Sequence, residues 1–215
     1  MKSDARRLIF AVAAAALLWF YMFSPWTNGA PNFWFVMAGS ALILTTCAIG
    51  FTPDRKALFS IEKPWLQLLG GIALAFLLWG IFWVGDKLAA WMFHFARPQV
   101  DAVYAMKTSL PVSVIALLLL FLIGPAEELF WRGYVQRTLV KLFANRKAGA
   151  TLAFIVTALV YALVHIWSFN FMLVMAALVA GLVWGLIYRL CPKALPALVV
   201  SHALWDALVF VILPI

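Results

Sequence analysis

Leu110–Arg132 reads LPVSVIALLLLFLIGPAEELFWR. From Leu110 to Ala126 the stretch carries no charge, and it then runs into Glu127, Glu128 and Arg132. A helix that crosses a bilayer needs about 20 predominantly apolar residues, and a spanning segment must satisfy its own backbone groups. The run therefore predicts a transmembrane helix. Charges at membrane depth cost about 2.5–3.5 kcal/mol each even on the lenient insertion scale, so the acids that close the run are the first place to look for function.

The rest of the chain has the same character. Of 215 residues, 67% are hydrophobic and 11% charged, with a mean hydropathy of +1.03. A soluble domain averages roughly 25% charged residues, and no aqueous globule of this size hides so much apolar surface. Seven stretches are long and apolar enough to cross: Leu8–Phe23, Phe33–Phe51, Trp65–Val84, Leu110–Ala126, Ala148–Trp167, Phe171–Leu190 and Ala194–Ile215. The expected fold is an all-α polytopic bundle of about seven spans, with amphipathic helices at the interfaces. Eleven Trp fit such a protein with aromatic residues near its interfaces. The first span follows Lys2, Arg6 and Arg7 like a signal peptide, but Trp19, Phe20, Tyr21 and Met22 stand where a small-residue cleavage site would be. It reads as a retained anchor.

The basic residues alternate by side. One side takes Lys2, Arg6, Arg7, Arg55, Lys56, Lys63, Arg132, Arg137, Lys141, Arg146, Lys147, Arg189 and Lys193; the other takes only Lys87, Arg97 and Lys107. The positive-inside rule then places the N-terminus in the cytoplasm and the C-terminus outside a cell membrane. This explains the net charge of +8 through topology, and no nucleic-acid partner is expected. Two connections exceed turns. Asp86–Lys107 carries Trp91, Phe93, Phe95 and Tyr104 and is expected in the outer interface. Leu129–Lys147 reads either as a basic amphipathic helix on the anionic leaflet or as a loop that sets topology. Cys47 and Cys191 form no metal or redox motif.

Three polar sets lie in apolar segments. Glu128 and Arg132 are four apart, with Glu on the favourable side for an ion pair. Glu127 points about 100° away, without that partner, and suits a general base. Pro125 removes a backbone donor and can bend or restart the helix. Tyr161 and His165 are four apart in the fifth span, and His202 and Asp206 in the seventh. Counting along the spans puts Glu127 at the inner end of the fourth and His165 near the outer end of the fifth. Their meeting requires a tilted or shortened fifth helix. GxSxG, HExxH, GxGD and glycine-rich phosphate motifs are absent, which leaves carboxylate and histidine.

The series Glu127-Glu128-x-x-x-Arg132, Tyr161-x-x-x-His165 and His202-x-x-x-Asp206 resembles the CAAX protease and bacteriocin-processing family of intramembrane glutamate proteases. The resemblance covers about Leu110 to the C-terminus. It implies a three-span N-terminal region at 1–107 and a catalytic four-span core at 108–215. It also implies an endopeptidase whose partners are the bilayer and a membrane-embedded or lipidated peptide. Glu127 and His165 would activate water, Glu128 and Arg132 would organise the site, and His202 and Asp206 would bind the oxyanion. Family members are often labelled metalloproteases, although the best-understood chemistry needs no cofactor; two histidines and two glutamates leave zinc open. The family commonly has Phe where Tyr161 stands, so Tyr161 adds a hydroxyl for a neighbouring site group or substrate. It commonly has Asn where Asp206 stands, so Asp206 either donates when protonated or orients His202; the second role is the expectation. Competing readings of the cluster are a scaffold or bacteriocin-immunity protein using it as interhelical glue, and a proton-coupled transporter. Ala177, Gly181 and Gly185 form a small-residue stripe suited to close helix contact.

Overall fold

The computed structural model describes residues 2–27 and 32–215. Those residues are mostly helical, with no strand among them. Seven helices have the length and composition to cross a membrane: α1 (Lys2–Phe23), α2 (Phe33–Phe51), α4 (Pro64–Met92), α6 (Val112–Leu142), α7 (Gly149–Ser168), α8 (Phe171–Leu190) and α9 (Pro192–Ile212). A one-turn α3 (Lys56–Phe59) joins α2 to α4, and α5 (Ala96–Ala105) joins α4 to α6. The protein is an integral membrane bundle, and large apolar side chains such as Ile9, Trp65 and Phe121 cover its outside.

Two boundaries differ from the sequence reading, and both matter. The fourth span does not stop at Ala126. α6 runs 31 residues, roughly 46 Å at 1.5 Å per residue. Leu129–Gln136 is therefore no interfacial segment. Phe130, Trp131, Arg132, Gly133, Tyr134, Val135 and Gln136 are buried in the bundle, so Arg132 is not a topology-setting loop charge. Glu127 consequently sits midway along α6, level with the C-terminal half of α7, and the depth mismatch with His165 disappears without shortening α7. The third span also continues past Val84, to Met92.

α6 survives Pro125 by unwinding rather than breaking. Leu119–Ile123 and Leu129–Gln136 are π-helical, on either side of the α-turn Gly124–Glu128. The Gly124 N–H reaches back five residues to the Leu119 carbonyl. The wider turn absorbs the missing proline donor, and such insertions collect at functional sites.

Close helix contacts rest on glycine. A methyl on Gly124 would meet Ala203 Cα of α9 at 2.7 Å, and one on Gly71 of α4 would meet Val200 Cβ of α9 at 2.6 Å. The stripe on α8 faces α7, where Gly181 lies against Tyr161 and Gly185 against Phe154.

Candidate active site

The bundle encloses a cavity of about 440 Å³. Glu127 of α6, Tyr161 and His165 of α7, and His202 and Asp206 of α9 all line it. The remaining wall is mainly apolar and includes Trp34, Phe82, Ile123 and Met175. Glu128 and Arg132 do not reach the cavity; both side chains are fully buried behind it. The seven residues singled out from sequence thus converge, in two layers.

In the cavity layer, the Tyr161 hydroxyl donates to Glu127 Oε2 at 2.9 Å. Behind it, Arg132 Nη1 donates to Glu128 Oε1 at 2.7 Å. His202 Nδ1 meets the same Glu128 oxygen at 2.8 Å. Arg132 lies over the rings of Tyr161 and Trp184, 5.0 and 5.4 Å from their centroids, and its Nη2 donates to the Gly181 carbonyl. A buried ion pair is tolerated when further contacts satisfy it, and here the guanidinium has two aromatic faces and a carbonyl. Asp206 Oδ2 stands 3.6 Å from His202 Nε2, beyond hydrogen-bond length. Glu128, rather than the Asp206 expected from the sequence, makes the hydrogen bond to the His202 ring, while Asp206 stands at ion-pair range of Nε2.

Two tryptophans escaped the sequence reading. Trp19 Nε1 donates to His165 Nε2 at 3.0 Å. An indole nitrogen only donates, so His165 Nε2 accepts, and Nδ1 carries the proton that it gives to the Tyr161 carbonyl at 2.8 Å. Trp184 stacks on His202 with centroids 4.0 Å apart and donates to Ser201 Oγ. The eleven Trp are thus not only an interfacial belt: Trp19, Trp131 and Trp184 are essentially buried. Trp184 lies inside its predicted span, away from where belt residues collect, which was the available signal. Trp19 lies near the end of its span and gave none.

A zinc site needs three or four donors turned on one point. Here both nitrogens of His165 are engaged, His202 Nδ1 is taken by Glu128, and Glu127 accepts from Tyr161. No group of three or more His, Cys, Asp or Glu among the described residues is arranged to hold a metal. As arranged, the donor set does not fit zinc.

The family model described as Type II CAAX prenyl endopeptidase Rce1-like matches residues 109–208. Residues 109–208, just under half of the chain, are thus similar to the Rce1-like family. This Rce1-like segment spans α6 to α8 and most of α9, and holds all seven residues converging on the cavity. The family is one of endopeptidases acting at membranes, in agreement with the seven spans. Trp19 and the α4 and α5 walls of the cavity lie outside the match. No curated protein and no solved structure matches the chain.

Proposed function

We propose that this chain is an intramembrane endopeptidase that hydrolyses a membrane-embedded or lipidated peptide with water activated by Glu127. The observation that carries the reading is Glu127 itself, a carboxylate at the wall of an apolar cavity whose side-chain hydrogen bond comes from a neutral hydroxyl. Tyr161 occupies Oε2, which leaves Oε1 to accept a proton from water. The water oxygen attacks the scissile carbonyl carbon as its proton passes to Glu127. The tetrahedral intermediate collapses with C–N cleavage, and the same proton goes to the leaving nitrogen.

The developing oxyanion needs donors already in place. His202 has Nδ1 tied to Glu128 and Nε2 free toward the cavity; doubly protonated, it donates from Nε2, with Asp206 alongside. Glu128 and Arg132 hold that ring at the correct angle and are positioning residues. His165 assists from the cavity wall in the Nδ1–H form that Trp19 fixes. The apolar walls accept a lipid chain or an apolar helix end.

The test is hydrolysis of prenylated and single-span peptides by the purified protein in detergent. Glu127→Gln should lower kcat by about 10²–10⁴, the usual contribution of a positioned base. Full activity in Glu127→Gln protein that remains folded would sink the mechanism.

A further inference from the structure

The cavity belongs to one face of the membrane. The spans alternate in direction, so the C-terminal end of α1, the N-terminal end of α2 and the whole of α5 share the face opposite the start of α1. Every cavity-lining residue lies on that half: Phe23 ends α1, Phe33 begins α2, Asp86 and Phe93 stand at the far end of α4, and Val103 belongs to α5. Toward the other face the way is shut. Phe130, Trp131, Arg132, Gln136 and Trp184 form a fully buried layer beneath Glu127 and His202.

α5 caps the mouth and is fastened at both ends. Arg97 bridges to Asp86 of α4 at 2.9 Å. Gln99 accepts from the Met172 N–H of α8 and from the side-chain amide of Asn170, which precedes α8. The Tyr104 hydroxyl donates to the Val209 carbonyl of α9, and Lys107 donates to that of Phe210.

Charge fixes which face this is. Arg132 leaves the larger basic set because it is buried mid-helix, but the other members of that set remain on the face where α1 starts. The face of α5 holds only Lys87, Arg97 and Lys107. Such an imbalance keeps the basic face in the cytoplasm.

We propose that the cavity takes its peptide from the face carrying α5, that this face lies outside the cytoplasm, and that the substrate is an exported, membrane-anchored peptide. This rests on the endopeptidase reading for the word substrate, but not for the side of access. Water and peptide reach Glu127 beneath or beside α5, never from the cytoplasm.

Thiol labelling in intact cells tests it without any known substrate. In a background with Cys47→Ala and Cys191→Ser, single cysteines are placed at Val103 on α5, at Met175 deeper in the cavity, and at Lys141 on the opposite face. A charged, membrane-impermeant maleimide should label Val103→Cys, Met175→Cys or both in intact cells, and Lys141→Cys only after permeabilisation. Reaction of both cavity positions only after permeabilisation overturns the proposal, as does labelling of Lys141→Cys from outside. Failure of both to react even in opened membranes overturns it too, because the cavity would then exclude water. Peptide hydrolysis in detergent has no sides, so loss of the endopeptidase reading and loss of this one are told apart.

Discussion

The indole N–H of Trp19 donates to Nε2 of His165 across 3.0 Å, joining residues 146 positions apart. One lies in the first span and the other in the fifth, and the bond fixes the histidine in its Nδ1–H form. A segment outside the Rce1-like match thereby sets the state of a residue inside it. Trp19→Phe keeps the ring but removes the donor. Losing one buried hydrogen bond costs about 1–1.5 kcal/mol, and about 1.4 kcal/mol is tenfold in rate. kcat should fall about tenfold with KM little changed, and the pH profile of kcat should change shape as His165 gains freedom. A profile identical to wild type would reduce Trp19 to packing.

Glu127 and Tyr161 should respond differently. The hydroxyl only holds Oε2, and the ring also covers Arg132 and packs against Gly181. Tyr161→Phe keeps the ring, so its activity should stay within about tenfold of wild type, the worth of one hydrogen bond. Glu127→Gln removes the base. Equal losses in the two variants, measured as kcat on one peptide, would mean that the phenol itself takes part in the chemistry.

The pattern of what could be read from sequence follows from this geometry. Span number and the pairing of Glu128 with Arg132 follow from apolar length and helical spacing, both local properties. The end of the fourth span was misplaced because Arg132 and Gln136 look like loop residues. Their burial depends on the Gly181 and Gly185 carbonyls of α8, to which they donate, and on the ring of Trp184. Partners 49 residues away leave no trace in local composition. The same holds for Trp19, and for His202, whose neighbour in sequence, Asp206, is further from it in space than Glu128.

That last comparison has a direct test. Asp206 makes no hydrogen bond to Nε2, standing 3.6 Å from it, and Asn at this position would still donate to an oxyanion. Asp206→Asn should keep near-full kcat. Glu128→Gln leaves Arg132 as an uncompensated buried charge, which costs about 3–5 kcal/mol. Its thermal midpoint in detergent should drop markedly, and activity should fall with it. A large loss in Asp206→Asn beside an unperturbed Glu128→Gln would reverse the two roles.

Chelation addresses the zinc question. Both His165 nitrogens, His202 Nδ1, Glu127 Oε2 and Glu128 Oε1 are engaged by protein groups. Prolonged treatment with EDTA or phenanthroline should leave peptide hydrolysis unchanged. Loss of activity that zinc restores would show that these side chains turn to a metal when substrate binds.

The helix contacts that carry the site predict a contrast between adjacent glycines. Gly70 and Gly71 are neighbours on α4, yet a methyl on Gly70 meets nothing within 4 Å while one on Gly71 runs into the α9 backbone and Val200. Overpacking costs about 1–3 kcal/mol, whereas glycine in a helix gives up about 1 kcal/mol against alanine. Gly71→Ala should therefore melt earlier and Gly70→Ala at the wild-type temperature or later. Gly124→Ala should be the most damaging of the three for hydrolysis. Gly124 lies three positions before Glu127 in α6 and its methyl would push on Ala203 of α9, the residue after His202, and so shift the base and the oxyanion side apart. Equal melting temperatures for Gly70→Ala and Gly71→Ala would contradict the close approach of α4 to α9.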